Sequence, residues 1–210
     1  MENLKVRAIF FVIGIFILTF GVSLTIKADL GTGAWDAINV SLSEITGLTI
    51  GNWVIIIGLI LIVVNALIAK ERPDYFSLVT VFIIGLMVDF WLLLVLDNWV
   101  PESLWIRIMT LVIGVIILGF GVSLYLQPKL SLNPIDGIMV ALQKRFAINL
   151  VLGKTISEAF ALVVAFLLGG PIGIGTIIIL LLIGPVIQFF EPTAKKIVSH
   201  FDRHPLARQN

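Results

Sequence analysis

Apolar positions along this chain come in long unbroken blocks, and polar residues are confined to the gaps between them. The blocks span residues 8–26, 53–69, 75–96, 104–126, 152–168 and 174–190. Each has the length a helix needs to cross a hydrocarbon layer, about 17–25 residues. A helix is the form expected there, because no water is available to satisfy free backbone groups. Lys70-Glu71-Arg72-Pro73-Asp74 ends the second block, Asp97-Asn98-Trp99-Val100-Pro101-Glu102 ends the third, and Gly169-Gly170-Pro171 divides the last two. Trp53, Tyr75, Trp91, Trp99 and Trp105 fall near block ends, as aromatic side chains do at a membrane surface. The first block is longer than a signal-peptide core and has no small-residue cleavage pattern after it, so it is read as a retained span. The pattern predicts an all-α membrane protein with six transmembrane helices.

The chain repeats itself at a shift of 100 residues. Phe20-Gly21-Val22-Ser23-Leu24 recurs as Phe120-Gly121-Val122-Ser123-Leu124, and Asp36 falls on Asp136. Between Val12 and Leu42, 15 of 31 positions are identical to their counterparts without a gap. At a shift of 99, Ile84-Gly85 matches Ile183-Gly184, and Gln188 takes the place of Asp89. The repeats are placed at residues 5–98 and 104–191, with 192–210 as a cytoplasmic tail. Three spans per repeat is an odd number, so the second copy is expected upside down relative to the first, as in many transporters.

Composition removes whole classes of function. The chain is 59% hydrophobic and 13% charged, with a mean hydropathy of +1.12. A soluble domain is about 25% charged. A net charge of +1 leaves no basic excess for a nucleic-acid partner. Placement of the charges is more informative. With both termini cytoplasmic, 12 of the 14 Lys and Arg residues lie inside, and only Lys27 and Arg107 lie outside.

Residues 29–51 and 129–153 are long for plain loops and strongly apolar. Asn133 suits a helix cap and Pro134 a first helical position, which places Asp136 where backbone N–H groups are free. Gly33-Ala34-Trp35-Asp36 has the same layout in the first copy. A helix over 134–146 would be about 20 Å long at 1.5 Å per residue, too short to span. Each repeat therefore carries an extra short helix, either amphipathic on the membrane surface or re-entrant with its N-terminus toward the bilayer centre. Asp36, Asp136 and Asn133 are candidate substrate-path residues, together with Asp89 and Gln188 inside the spans. Glu158 lies four residues after Lys154, a spacing that suits an ion pair on one helix. Asn65 reads as an interhelical contact. Gly21, Ser23, Gly121, Ser123, Gly85 and Gly184 read as close-packing positions between spans.

No catalytic constellation is present, so no enzyme activity is expected. Cys is absent and both His, His200 and His204, follow Glu191, which leaves no metal centre in the spans. No cofactor is expected. The first-span Phe-Gly-Val-Ser-Leu followed by Asp29-Leu30-Gly31-Thr32-Gly33-Ala34-Trp35-Asp36 resembles the YczE/YyaS/YitT group of small bacterial membrane proteins, closest to the YczE branch. So does Gly173-Ile174-Gly175-Thr176 followed by Ile183-Gly184-Pro185. The resemblance implies a multi-pass protein of the bacterial plasma membrane and says little about chemistry. The expected function is a small secondary transporter or exporter of an organic solute. Two alternatives stand beside it. One is a channel for water or a small neutral solute. The other is a non-transporting regulatory or scaffold protein that would use the tail. The expected partners are the lipid bilayer and a small-molecule substrate, with a homodimer as an open arrangement.

Overall fold

The computed structural model describes residues 4–202. Arg203, His204 and Arg208, assigned to the inner tail from sequence, lie outside the described residues. Among the described residues eight α-helices follow one another: α1 (Leu4–Lys27), α2 (Ala34–Thr46), α3 (Ile50–Ala69), α4 (Phe76–Asp89), α5 (Leu104–Leu126), α6 (Pro134–Phe146), α7 (Leu150–Leu167) and α8 (Ile174–Asp202). A π-helical stretch, Phe90–Val95, continues α4. There Leu96 N–H donates to the Trp91 carbonyl, one residue further back than in an α-helix. No strand occurs among the described residues.

Six of these helices are long and apolar enough to cross a membrane: α1, α3, α4 with its π-helical extension, α5, α7 and α8. The remaining two, α2 and α6, are the short ones, 13 residues each. Helix α8 extends past the sequence-based limit at 190 and runs through Pro192. Its last turns carry Ala194 and Val198, buried against Leu124 with Phe10 and Ile17 packed alongside. Residues 192–202 are therefore a docked helix rather than a free polar tail.

The α1–α5 pair is the centre of the molecule. Gly14 lies against Tyr125, Leu18 against Gly121, Gly21 against Leu118 and Thr25 against Gly114. Numbers rise on one helix as they fall on the other, so the two pack antiparallel. A Cβ on Gly21 or Gly121 would strike backbone of the facing helix. Glycine there removes the side chain that would hold the axes apart, a device common where apolar helices meet in lipid. Ser23 and Ser123 are fully buried on the same helices, and Ser123 Oγ donates to the Phe120 carbonyl at 2.8 Å.

The short helices cross between the halves. Helix α2 packs on α7 and α6 packs on α3, and each also packs on the helix that follows it, α3 and α7 respectively. Trp35, Ala37 and Ile38 of α2 join Leu61, Ile138, Ala161 and Ala165 in one buried cluster. The first two turns of α2 are thus inside the bundle. Small residues permit this approach, since Ala161 and Ala165 present almost no side chain. The turn before α2 is tied to the turn before α8. Thr32 N–H donates to the Pro171 carbonyl at 3.1 Å, and Gly175 N–H donates to the Leu30 carbonyl at 2.7 Å. Gly31, at φ +97°, lies against Gly173, where a side chain on either would collide with backbone.

Candidate functional site

The first turns of α2 and α6 end at one cavity of about 140 Å³. Asp36 and Asp136, three residues after their caps, both line it, as does Asn133. Its apolar wall comes from Leu18 and Val22 on α1 and from Leu118 and Val122 on α5. Those residues lie in the C-terminal halves of α1 and α5. The cavity therefore lies beside the antiparallel crossing of α1 and α5, and the sequence-matched acids of the two halves both line it.

Local sequence explains the placement. Asn133 caps α6, its Oδ1 accepting from Ile135 N–H at 3.3 Å, and Pro134 supplies the fixed backbone angle of a first helical position. Gly33 caps α2 without a side-chain bond. The aspartate that follows each cap faces free N–H groups and the positive end of the helix dipole, which favours a negative group.

The two acids have different neighbours. Tyr125 Oη, on a side chain 1% exposed, donates to Asp136 Oδ2 at 2.6 Å. The position of Tyr125 in the first half is Thr25, whose hydroxyl donates to the Val22 carbonyl at 2.8 Å instead. Asp36 thus lacks the clamp that Asp136 has. Two further charged residues line the cavity, Lys154 and Glu158 of α7. Lys154 is in electrostatic reach of Asp136 and Glu158, and Glu158 of Asp36. Lys154 and Glu158 do not close the ion pair that their spacing suggested, whereas Arg107 pairs with Asp29 and Lys144 with Glu71. Both residues line the central cavity.

Sequence reading missed Lys154, Glu158 and Tyr125. A signal for the first two was available in the repeat. At a shift of 100, Lys154 replaces Val54 and Glu158 replaces Gly58, so the second copy has charges where the first has none.

Asp89 is elsewhere. Thr49 Oγ1 donates to its Oδ2 at 2.6 Å and Gly51 N–H donates to its Oδ1 at 2.7 Å. The carboxylate caps the start of α3 from the neighbouring helix, and both its oxygens have partners. Gln188, its counterpart, is exposed and lines a second, wider space of about 520 Å³ between α7 and α8. Gly85 is packed against Ile55 and the Gly51 carbonyl, whereas a Cβ on Gly184 would meet nothing within 4 Å. Gly184 is therefore not a close-packing position, unlike Gly21, Gly121 and Gly85. Asn65 Nδ2 donates to the Pro134 carbonyl at 2.8 Å and ties α3 to the start of α6.

Residues 5–192 match the model of a family of unknown function, DUF6198. The chain belongs to this family. It is 35% identical over 190 residues to the uncharacterized protein YyaS of Bacillus subtilis (strain 168), covering 90% of this chain and 94% of the relative. It is 32% identical over 202 residues to the uncharacterized membrane protein YczE of the same organism, covering 95% and 92%. An uncharacterized protein of Haemophilus influenzae is 30% identical over 176 residues, covering 83% and 78%. The group named by the sequence motifs is thus the group to which the chain belongs. No solved structure matches it.

Proposed function

We propose that this protein is a small secondary transporter that exports an organic solute across a bacterial plasma membrane, with both termini cytoplasmic. One observation carries the reading. The N-termini of two short helices, one from each repeat, meet at a cavity that holds charged side chains beside the crossing of α1 and α5. Transporters built from inverted repeats bind substrate at such a place, between the ends of discontinuous helices near the bilayer midplane. The antiparallel α1–α5 pair supports the inverted relation, because the first helix of one repeat runs against the first helix of the other. In this reading α2 and α6 are re-entrant, and the Lys and Arg bias sets the orientation. Asp36, Asp136 and Asn133 contact the solute, and Lys154 and Glu158 join them. The protein does no covalent chemistry.

The test is flux in liposomes holding the purified protein, with a panel of organic amines, acids and neutral amphiphiles. Asp36→Asn and Asp136→Asn are expected to lower the flux of the transported solute at least tenfold while the protein stays monodisperse. A panel in which nothing moves faster than through empty liposomes overturns the reading, as does unchanged flux in both variants.

A further inference from the structure

The space between α7 and α8 is the counterpart of a closed interface. In the first half, α3 and α4 pack tightly. A Cβ on Gly58 would enter Val81, and one on Gly85 would stand 2.5 Å from Ile55 Cγ1. The matching positions in the second half are Glu158 with Leu180, and Gly184 with Thr155. All four line the open space instead. Lys154 and Glu158 line both this groove and the central cavity, so the two spaces share a wall and adjoin there. Charged groups cannot be buried in a dry apolar seam without a large loss of hydration, which explains why this seam does not close as its counterpart does.

We propose that this groove admits a single-chain amphiphile with a cationic amine head, taken from the leaflet that faces the N-terminal half of α7. The inference rests on the transport reading above and names its substrate class. The outer groove is lined by apolar groups such as Val151, Leu162 and Leu180, which suit an alkyl chain. Its volume of about 520 Å³ falls in the range of small-molecule pockets, about 300–1,000 Å³. Polar groups gather at the inner end, where three carboxyl groups, Asp36, Asp136 and Glu158, face one ammonium, Lys154. That balance attracts a positive head and repels a phosphate or carboxylate. A second copy of the chain would present apolar helix surface to the groove and leave those charges unmatched. With the termini inside, this leaflet is the inner one, which fits export.

Gly184 provides a plug that does not strain the fold, because open space surrounds its Cβ position. Saturable binding of radiolabelled dodecylamine is measured on the purified protein in nanodiscs of zwitterionic lipid, after subtraction of empty nanodiscs. Butylamine and dodecanoate serve as competitors. Gly184→Trp and Glu158→Gln are each expected to weaken dodecylamine binding at least tenfold, and Gly184→Ala to leave it within twofold. Butylamine and dodecanoate are expected to compete at least tenfold less well than unlabelled dodecylamine. Absence of saturable binding, full binding by Gly184→Trp, or equal competition by dodecanoate overturns the proposal. So does a dimer in wild-type nanodiscs that Gly184→Trp converts to monomer, since a second copy would then fill the groove. Liposome flux separates the two readings. Binding of dodecylamine without flux of any solute in the panel sinks transport and leaves the site standing. Flux of other solutes without dodecylamine binding sinks the site and leaves transport standing.

Discussion

The α3–α4 interface and the α7–α8 groove occupy matching places along the sequence and reach opposite states. In the first half Gly51, Gly58 and Gly85 let two helices touch along their length, and Asp89 caps α3 across the joint. In the second half Val151, Glu158 and Gln188 occupy the first, second and last of these places and line open space, and Gly184 matches Gly85 but has open space where its Cβ would stand. Helix α8 also carries Pro185 where α4 has Leu86. A proline inside a helix gives up one backbone bond and crowds the carbonyl four residues back. A few substitutions thus decide whether a helix pair is scaffold or opening. Both halves keep their cross-packing through α2 and α6, so the bundle holds while one seam is open.

The largest effect expected from breaking this contrast is at the paired glycines. Gly85→Leu would drive a side chain into Ile55 and the Gly51 carbonyl, and is expected to destabilise by about 3 kcal/mol. Gly184→Leu meets open space and should cost under about 0.5 kcal/mol. Thermal unfolding in detergent followed by size-exclusion fluorescence checks both, and equal losses would erase the distinction. Next is Asp89→Ala, which strands Thr49 Oγ1 and the Gly51 N–H at the start of α3. A loss of about 2 kcal/mol is expected, with little change for Gln188→Ala in the same assay. The double substitution Lys154→Val with Glu158→Gly copies the first-half residues into the second. It should abolish solute flux and change stability by under about 1 kcal/mol, because the gain from removing half-buried charges is offset by a glycine inside α7. A double variant that still transports would show that the seam is not part of the path. The smallest effect belongs to Lys144→Gln. It removes the 2.6 Å ion pair with Glu71 that ties α6 to the α3–α4 turn. Both partners are about half exposed, so the cost should stay under about 1 kcal/mol and shrink further in high salt.

Much of the architecture could be read from single positions. Span limits at Leu104 and Leu126 coincide with α5, because hydrocarbon length and helix pitch leave little freedom. The caps at Gly33 and Asn133 lie where the short helices begin, since Pro134 and the acids three residues after each cap have strong local preferences. Asp89 was not legible in this way. A carboxylate in an apolar block has the same local signature whether it caps a neighbouring helix or meets a solute, and its partners Thr49 and Gly51 are about 40 residues away in sequence. The extent of α8 was misread for a related reason. Polar residues after Glu191 suggested a tail, but Ala194 and Val198 recur at helical spacing and find Leu124.

The sequence by itself determined that this chain is an all-helical membrane protein with six candidate spans, a 100-residue sequence repeat and a short helix in each half. Local hydrophobicity and backbone preference are sufficient for that, since each acts over one helix or less. The tertiary structure decided which repeated positions meet. It brought Asp36 to Asp136, moved Asp89 into a cap, and placed Lys154 and Glu158 on a wall shared by two spaces. Those outcomes depend on which glycine faces which backbone across the α1–α5 and α3–α4 crossings, a contact between distant segments that no local preference encodes.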